Sequence, residues 1–598
     1  MLCKDSAKCK VFPLPDVEVS ALVSRSLRAR ALLACLVAAL VAAPAALAAP
    51  TTVELMPGVT YTTETRTIGG KPVVVHVVTA PKPGGLYRLA PVLSDGQVAG
   101  RQTLTAMQGA LSETATAVGV NGDLFSYATD SSSGILMRDG VLVSRPVAKR
   151  SSLGIGLDGL LSIGRVGFYG KWAIGDTNRR PLAQFNRPLE GRGVALFTPA
   201  WDTATPIVKK AVDVVLDGVP QATVGTDLAG QVVGTSEGGG TAIPEGGAVL
   251  QAVGPIATEL LATAVPGSAF VGRLDLKPWW EGVADAIGGG PALVQDGSIV
   301  LPTSEEFTPS QLSPRYPRTA VGQLADGRIV LVAIDGGQAS SAGVDVRALA
   351  DELVRLGVVN GMALDAGGST TLAFDGSVLN TPSTGSERAI SNALMVLYYG
   401  VYAPPPSQPV VSPNGDGVAE QEELSYKVVR PSTVRARLIG PNGKVVWKEE
   451  QQREPGTYPF QVAQEAFKEG PWRWVVNATD ADGVKSKIER AFRVNNTLGF
   501  LELSSPTVKV RKKRGGSLGV TFKVAKRARV VVTVQDRGRL VRTLLSRWQS
   551  PGAVELTWNT RAEGGQLVVP GQYTIVVEAR NKLGIVELSR PVEVRRGK

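Results

Sequence analysis

The chain has 598 residues and few cysteines, histidines and aromatic side chains, and each shortage excludes a class of chemistry. Its three cysteines, Cys3, Cys9 and Cys35, all precede residue 48. The rest of the chain therefore offers neither a cysteine nucleophile nor a cysteine-built zinc site. His76 is the single histidine and lies on an alternating, strand-like pattern, so we predict a structural role for it. Without a second histidine, acid–base chemistry falls to carboxyl groups.

Long apolar segments are also scarce. The apolar run at residues 31–41 follows a basic stretch at 25–30 and precedes Ala46-Leu47-Ala48, which is the pattern of an export signal with its cleavage site. The run is too short and too rich in alanine for a stable membrane span, and no later segment qualifies. We expect a signal peptide at residues 1–48, with the true start near Val23. The mature chain is then expected to lack a transmembrane segment and to be secreted, extracellular or associated with a cell wall.

Charge is unevenly balanced, with a formal net charge of +11. Visible basic clusters are Arg511-Lys512-Lys513-Arg514 and the tail at 595–598. An exported basic module can bind an anionic cell-wall polymer, and the alternative is an ordinary solvated surface of strands and turns. Nucleic acid is not an expected partner outside the cell.

Glycine and proline are plentiful, with 68 and 39 residues, which predicts a turn-rich, β-dominated protein. Residues 49–402 read as one large catalytic domain of α+β or α/β class with a mixed sheet. Residues 403–409 form a proline-rich linker. Residues 410–496 and 497–598 each show short alternating strands with turn signals, which predicts two all-β, Ig-like sandwich modules.

A β-α-β pattern is the most informative part of the first domain. An apolar run ends at Ile334 and closes on Asp335, and a second run closes on Asp365. Residues 346–356 carry apolar side chains at spacings of three and four, typical of a helix that Asp345 can cap. If the two strands are parallel neighbours, both carboxylates project from one edge of the sheet. Such a pair beside glycine-rich turns is suited to a sugar, a metal ion or both.

Further polar clusters fall at strand ends. They are Asn121-Gly122-Asp123, Gly288-Gly289-Gly290-Pro291, Arg318-Thr319, Glu387-Arg388 and Asn392. The glycine turn permits close approach of a ligand to the backbone, and an arginine offers phosphate a planar fork. Other acidic residues precede glycine in the manner of hairpin turns and are predicted to be structural: Asp139, Asp296, Asp326 and Asp375.

Taken in order, six motifs resemble the phosphodiester glycosidase family, which includes the lysosomal uncovering enzyme, over about residues 115–400. They are Asn121-Gly-Asp, Gly-Gly-Pro with Gln-Asp-Gly, Pro317-Arg-Thr-Ala-Val-Gly, Ile334-Asp-Gly-Gly, Leu364-Asp-Ala-Gly-Gly-Ser-Thr-Thr and Ser386-Glu-Arg-Ala-Ile-Ser-Asn-Ala. Two positions depart from the family. Ala366 replaces a glycine and is expected to alter its turn, and Leu124 replaces an aromatic residue and is expected to change sugar stacking.

The C-terminal part carries a second resemblance. Trp558-Asn559, Gly564-Gly565 and Pro570-Gly571-Gln572-Tyr573 resemble the Ig-like repeat of flagellar hook-capping proteins. Asn414 and Asp416, near the start of the first module, offer oxygen ligands for calcium, with a simple Asx turn as the alternative.

The first resemblance implies hydrolysis of the bond between a sugar's anomeric carbon and an esterified phosphate. It makes Asp365 the first catalytic candidate, followed by Asp335, Asp123 and Glu387. The residues implied in binding substrate or phosphate are Arg318, Arg388, Asn121, Gly289, Gly290, Thr319, Gly367, Gly368, Ser369 and Asn392. No cofactor is required by this chemistry, although an Asp cluster can take Ca²⁺ or Mg²⁺.

The expected substrate is an N-acetylglucosaminyl-like phosphodiester in a cell-wall or surface polysaccharide, so the expected partner is a carbohydrate or glycosyl-phosphate polymer. Two alternatives stay open. One is a carbohydrate-binding or cell-envelope protein that keeps the fold without the activity. The other is a plain glycosidase for α-linked sugars that carry no phosphate.

Overall fold

A computed structural model describes residues 49–278, 280–461, 467–511 and 514–597. The predicted export signal, residues 1–48, lies outside these ranges, as do Lys512, Lys513 and Lys598 of the basic clusters. The chain is mostly β, with 54% strand and 7% helix. Among the described helices, none has the length and apolar character needed to cross a membrane.

The part of the chain before the linker is built largely from strands, which form several sheets. Its first half contains β1 (Thr51–Met56), β2 (Val59–Ile68), β3 (Lys71–Ala80), β4 (Tyr87–Leu93), β5 (Thr116–Asn121), β6 (Phe125–Ser126), β7 (Ser131–Ser132), β8 (Leu136–Arg138), β9 (Val141–Ser144), β10 (Ser151–Gly156), β11 (Leu161–Arg165), β12 (Gly167–Ile174), β13 (Arg180–Leu182), β14 (Gln184–Phe185) and β15 (Gly193–Phe197). It continues with β16 (Ile207–Asp217), β17 (Asp227–Gly239), β18 (Ala248–Val253), β19 (Ala269–Lys277), β20 (Val283–Gly288), β21 (Ala292–Gln295), β22 (Ser298–Ile299), β23 (Arg318–Leu324), β24 (Ile329–Ile334), β25 (Val358–Ala363), β26 (Leu372–Phe374), β27 (Ser377–Val378) and β28 (Asn392–Tyr398).

Helices are few and short in the part of the chain that the structure describes. The α-helices are α1 (Leu104–Ala110), α2 (Pro255–Thr263), α3 (Pro309–Leu312) and α4 (Val346–Arg355), and short 3-10 helices span Ser94–Gly96 and Gly367–Ser369. The predicted helix after β24 is α4. The Asp345 carboxylate accepts a hydrogen bond from the Ala348 amide at 2.7 Å and caps its start, as the sequence indicates. Gly357 follows its last turn with φ of 82°.

The sheet that carries Asp335 and Asp365 has eight strands in the order β1-β2-β3-β24-β23-β25-β21-β22. The strands β24 and β25 are not neighbours, because β23 lies between them and pairs antiparallel with both. The two strands still run in the same direction, so both carboxylates follow strand ends at one edge. The α/β part of the predicted fold class is not supported, since every pair in this sheet is antiparallel.

A second sheet, β27-β26-β5-β28-β4, meets the first at this edge. The Asp365 amide donates to the Gly122 carbonyl at 2.9 Å, which joins the residue after β25 to the loop after β5. The Asn121 side-chain amide donates back to the Asp365 carbonyl at 2.8 Å. These bonds bring the two predicted strand-end clusters together.

The four predicted hairpin aspartates occupy turns. Asp139, Asp296 and Asp375 have φ of 52°, 47° and 44°, a left-handed conformation that aspartate tolerates. Asp326 lies between β23 and β24 and accepts a hydrogen bond from the Arg328 amide at 3.1 Å.

The C-terminal region is Ig-like, with two successive pairs of sheets. The strands are β29 (Val410–Val411), β30 (Glu423–Val428), β31 (Ser432–Ile439), β32 (Val445–Arg453), β33 (Gly456–Gln461), β34 (Gly470–Asp480), β35 (Lys485–Val494), β36 (Leu498–Leu503), β37 (Thr507–Val510), β38 (Leu518–Val524), β39 (Ala528–Asp536), β40 (Arg539–Gln549), β41 (Gly552–Trp558), β42 (Gly571–Asn581) and β43 (Gly584–Arg596). Buried Trp472 and Trp474 lie in the first core, and buried Trp558 lies in the second.

The first Ig-like module also contacts the domain before it. Lys427 donates to the Asp375 carboxylate at 2.7 Å, and the buried Arg490 guanidinium donates to the Leu55 carbonyl at 3.3 Å. The predicted linker is held against this module, since the Ser407 and Gln408 amides both donate to the Glu422 carboxylate.

Candidate active site

A cavity of about 260 Å³ opens where the two sheets meet. We call it the site cavity. Its wall contains Leu124, Gly290, Phe307, Gln311, Tyr316, Arg318, Asp365, Ala366, Gly367, Gly368 and Arg388. These residues come from segments far apart in sequence, so the cavity exists only because the sheets converge here.

Asp365 is the predicted catalytic residue that lines this cavity. One carboxylate oxygen, Oδ1, accepts a hydrogen bond from the Ala366 amide at 2.9 Å, and the Ser369 hydroxyl donates to the same carboxyl group. The residue keeps partial exposure. Its backbone is fixed on both sides by the bonds to Gly122 and Asn121, so the side chain is held at a set position.

The surroundings of Asp365 raise its pKa to about 6. Burial is the main cause, because it disfavours the charged form, and the nearby Asp123 carboxylate adds to the shift. The Ser369 hydroxyl, the Ala366 amide and the Arg388 guanidinium act in the opposite direction. A carboxyl group with this pKa changes protonation near neutral pH, which suits a general acid or base.

Arg388 supplies positive charge beside this carboxyl group. Its guanidinium lies over the backbone of Gly368, where an added Cβ would sit 2.0 Å from Nη2. Nη1 lies 3.4 Å from the Ser369 hydroxyl oxygen. No other side-chain hydrogen bond of Arg388 occurs within the described ranges, and Arg388 lines the cavity, so its remaining donors are available to an anion there.

Arg318 differs from the prediction in how its guanidinium is used. Nε, Nη1 and Nη2 donate to the carbonyls of Val344, Gln311, Leu312 and Pro314 at distances from 2.8 to 3.3 Å. Burial lowers its pKa to about 10. With its donors directed at backbone carbonyls, Arg318 shapes the loop that walls the site cavity, and little of the planar fork is left to hold phosphate.

Asp335 lies away from the site cavity, although it ends a strand at the same edge. Its carboxylate accepts hydrogen bonds from His76 Nε2 at 3.0 Å, Asn380 Nδ2 at 3.1 Å and the Thr381 amide at 3.0 Å. His76 Nδ1 lies 2.7 Å from the Tyr61 hydroxyl. Both Asp335 and His76 are buried. The group ties β3 to the end of β24, which agrees with the structural role predicted for the histidine.

Glu387 also lies outside the site cavity. Its carboxylate accepts hydrogen bonds from the backbone amide of Thr105, at 3.2 Å, and from the Thr105 hydroxyl. Thr105 belongs to the first turn of α1, where backbone amides have no partner within the helix. The structure therefore uses Glu387 to hold the start of a helix.

Other predicted binding residues form the frame of the site. The buried Asn121 side chain accepts from the Thr319 hydroxyl at 2.7 Å, and the Asn392 side chain accepts from the Asp123 amide at 2.8 Å. The Gly290 amide donates to the Ala363 carbonyl at 2.9 Å. A Cβ on Gly289 would lie 2.8 Å from that same carbonyl oxygen, so glycine is needed for this close approach.

The two departures from the family pattern have different consequences. Ala366 is extended, with φ of −122°, so the expectation of an altered turn there is wrong. Gly367 takes the left-handed conformation instead, with φ of 68°. Leu124 lies in the wall of the site cavity, and its effect on sugar stacking stays a prediction.

Asp123 lies behind Leu124 and is buried. Its Oδ1 accepts from the Leu124 amide at 2.8 Å, whereas Oδ2 has no hydrogen-bond partner within the described ranges. Burial raises its pKa. The nearest cation is Arg150, whose Nη1 lies 3.7 Å from Oδ1.

Arg150 leads to a second cavity of about 580 Å³ that sequence reasoning missed. This arginine cavity is lined by Arg150, Arg187, Thr129, Ser133, Leu124 and Phe307, among others. Arg150 and Arg187 come from separate loops, the first next to Lys149 and the second before Pro188. Neither lies in one of the motifs that resemble the family. Only the tertiary structure brings them together.

The predicted metal ligands near residue 414 form a turn. Asn414 Oδ1 accepts from the Asp416 amide at 3.0 Å, and the Asp416 carboxylate accepts from the Val418 and Phe500 amides at 2.9 and 2.8 Å. This is the Asx-turn alternative. In the described part of the chain, no group of three or more His, Cys, Asp or Glu side chains is arranged to hold a metal ion.

Comparison with known families confirms both resemblances. Residues 221–397 match the phosphodiester glycosidase family, and residues 505–582 match the FlgD Ig-like domain. The first match contains Asp365 and Arg388 but begins after Asp123 and Arg150. The chain therefore carries a domain of phosphodiester glycosidase type, followed by an Ig-like region.

Individual relatives share shorter segments. The chain is 31% identical over 118 residues to an uncharacterised SPbeta prophage-derived protein, YomE, of Bacillus subtilis, covering 20% of this chain and 18% of that protein. It is 34% identical over 101 residues to N-acetylglucosamine-1-phosphodiester alpha-N-acetylglucosaminidase of Bos taurus, covering 15% and 19%. The chain thus spans less than a fifth of the length of these two relatives.

A solved structure supports the fold. A hypothetical protein from Synechocystis superimposes with a TM-score of 0.52 at 22% identity, over 59% of this chain and 64% of that one. At this identity the likeness concerns the fold alone. The family matches support a hydrolase of glycosidase type at the level of the family.

Proposed function

We propose that the protein hydrolyses the bond between the anomeric carbon of a sugar and an esterified phosphate, with Asp365 as the catalytic carboxylate. The observation that carries this proposal is Asp365 itself, a cavity-facing carboxyl group with a pKa raised to about 6 and an arginine beside it. The match of residues 221–397 to the phosphodiester glycosidase family supports the same reaction class.

This reaction can proceed with a single catalytic carboxylate. In many glycosidases a pair of carboxyl groups shares the work, one of them protonating the leaving group. A phosphate ester leaves readily as an anion, so that protonation is less needed. Asp365 in its ionised form takes a proton from water, the water oxygen bonds to the anomeric carbon, and the bonding electron pair leaves with the phosphate monoester.

Arg388 has the position and the free donors to stabilise the departing phosphate. Its guanidinium lies beside Asp365 and makes one long contact with Ser369. A charged hydrogen bond to an anion inside a cavity is stronger than one in water, so this contact favours the transition state in which negative charge grows on phosphate.

We further propose that the protein is exported and acts on a cell-wall or surface polysaccharide that contains N-acetylglucosaminyl-like phosphodiesters. The predicted signal peptide motivates the export, and detection of the protein in culture medium or in a cell-wall fraction tests it. The protein would be found only in cytosol if the signal were inactive.

The second Ig-like module offers a surface for an anionic polymer. An open groove at its junction with the first module is lined by Glu469, Lys526, Arg527, Arg529, Trp548, Arg580 and Lys582, and Lys526 pairs with Glu469. Trp548 is 58% exposed, and exposed indole rings stack on sugar rings while the cations attract phosphate or carboxylate. Co-sedimentation with a phosphate-containing wall polysaccharide is expected to weaken in Trp548→Ala, and equal binding by that variant would contradict the assignment.

The test of the hydrolase uses the protein from Ala49 onward and a synthetic α-N-acetylglucosaminyl phosphodiester, with release of the sugar as the readout. Wild type is expected to release sugar, and Asp365→Asn is expected to lose at least a hundredfold in rate, typical for removal of a general base. Asp326→Asn, which changes a surface turn, is the matched control and should keep wild-type rate.

Two further arms separate the alternatives. An α-glycoside without phosphate tests the plain glycosidase, which would cleave it as fast as the phosphodiester. Binding of the phosphodiester without any release of sugar by a folded wild type would instead indicate a carbohydrate-binding protein.

A further inference from the structure

We propose that the arginine cavity is a second anion subsite, which binds a further phosphate on the aglycone side of the substrate. The assignment of this ligand as part of the substrate rests on the proposed function. The binding of phosphate in the arginine cavity does not depend on catalysis. It narrows the substrate to glycosyl phosphodiesters whose aglycone carries another anionic group.

Arg150 provides the first argument. Its side chain is 9% exposed, and no side-chain hydrogen bond from it occurs within the described ranges. A guanidinium carries five N–H donors, and a buried charge without acceptors is costly. Because Arg150 lines the cavity, an anion entering there would supply the missing acceptors.

Two other arginines add to this positive charge. Arg187 also lines the cavity, and of its donors Nη2 contacts the Ser133 carbonyl. Arg145, close behind it, donates from Nε to the Gln184 side-chain oxygen. Burial and the charges of Arg145 and Arg150 lower the pKa of Arg187 to about 10, against the opposing charges of Asp123 and Glu190. Arginines this close repel each other, and a bound anion removes that repulsion.

The acidic groups around the cavity offset only part of this positive charge. Asp123 is nearest and forms a long ion pair with Arg150, at 3.7 Å. Glu190 lines the cavity, but no ion pair within 4.0 Å joins it to an arginine in the described ranges. Glu306 is exposed and lies 3.8 Å from Lys149. Among the described residues, Arg187 is therefore the arginine of this cavity that has no acidic group within ion-pair distance.

The two cavities adjoin each other. Leu124, Phe307 and Gln311 belong to the walls of both. The charge of Asp123 raises the pKa of Asp365, and the charges of Arg150 and Arg187 act to lower the pKa of Asp123. A ligand with its sugar at Asp365 can thus extend past Leu124 into the arginine cavity.

Phosphate fits this cavity better than carboxylate does. A carboxylate is planar and is satisfied by one guanidinium, whereas the oxygens of a phosphate point in several directions and can accept from two arginines and from hydroxyl groups. Serine and threonine hydroxyls, including those of Thr129 and Ser133, line the same space. They suit the remaining phosphate oxygens or a hydroxylated aglycone.

Binding of inorganic phosphate is the direct test. At constant ionic strength, phosphate is expected to raise the melting temperature of the wild type and also of Asp365→Asn, since a ligand that binds the folded state stabilises it. Arg187→Gln should weaken phosphate binding about tenfold or more, and Arg150→Lys gives a second variant that keeps the charge. Arg328→Gln, an exposed arginine, is the control. No phosphate effect on the wild type, or an equal effect on Arg187→Gln, overturns the subsite.

A substrate pair tests the same subsite during turnover. UDP-N-acetylglucosamine carries a second phosphate, whereas methyl α-N-acetylglucosaminyl phosphate does not. We take kcat/KM for UDP-N-acetylglucosamine divided by kcat/KM for the methyl phosphodiester. This ratio should fall about tenfold in Arg187→Gln and stay at the wild-type value in Arg328→Gln. An unchanged ratio in Arg187→Gln contradicts the inference. If no substrate is hydrolysed while phosphate binding depends on Arg187, the proposed reaction fails and the subsite stands.

Discussion

Gly368→Ala is predicted to displace the Arg388 guanidinium from the site cavity without unfolding the domain. The backbone of Gly368 lies outside the left-handed region, so alanine is tolerated there. An added Cβ would lie 2.0 Å from Nη2, 2.5 Å from Cζ and 3.0 Å from Nε of Arg388. The guanidinium must move by about 1.4 Å to regain an ordinary contact of 3.4 Å. Because this end of the side chain is flexible and partly exposed, it can move at little cost in stability.

The loss in activity follows from the contact that Arg388 is proposed to make. A hydrogen bond to a charged group contributes about 1.5–3 kcal/mol, so losing it should lower kcat/KM by roughly ten- to a hundredfold. The assay is sugar release from the phosphodiester, with the melting temperature measured in parallel. Gly164→Ala, on β11 with no atom within 4 Å of the added Cβ, is the matched control. Full activity in a folded Gly368→Ala, or an equal loss in Gly164→Ala, would refute this reasoning.

Three more predictions concern the carboxyl groups. Because the pKa of Asp365 is raised to about 6 and the ionised form is the base, kcat/KM should rise with pH up to about 6 and level off above it; a rate that falls over that range would make Asp365 an acid. Glu387→Gln should lower the melting temperature slightly through weaker contacts with Thr105, while kcat per folded molecule stays at the wild-type value; a hundredfold drop in kcat would return Glu387 to the catalytic site. Asp335→Asn places an amide opposite His76, so urea unfolding should show a loss of about 1–3 kcal/mol, and unchanged stability would argue against the buried network.

Strand ends and turn residues were readable from the sequence because their signals are local. The helix between Asp345 and Gly357 and the hairpin aspartates depend on spacing, capping and backbone preference within a few residues. The same is true of Asp365, which ends an apolar run and leads into a glycine turn. These local features do not depend on which strands pair with one another in the sheet.

Pairing between distant segments was not readable in this way. The sequence contains no signal that β23 inserts between β24 and β25, because an antiparallel neighbour can join from any point along the chain. For the same reason Asp335 and Asp365 share an edge but point into different surroundings, one toward His76 and the other toward the site cavity.

The candidate binding residues fall into two groups: those whose side chains bond to the protein itself and those that line a cavity. Arg318 and Arg388 look similar in sequence, since each follows a turn and lies at or shortly before the start of a strand. In the structure, four carbonyls occupy the Arg318 guanidinium, whereas Arg388 faces the cavity. Arg150 and Arg187 were missed because their meeting point is set by loop packing, for which the sequence has no periodic signal.

Hydrolysis of the glycosyl phosphodiester in water enriched in oxygen-18 tests the central claim most directly, because it reports which bond breaks. If Asp365 directs water to the anomeric carbon, mass spectrometry should find the heavy oxygen in the released sugar and none in the phosphate, and the labelled product should vanish in Asp365→Asn. Heavy oxygen in the phosphate product would mean that the phosphorus–oxygen bond is cleaved, and the protein would then be a phosphodiesterase and not a glycosidase.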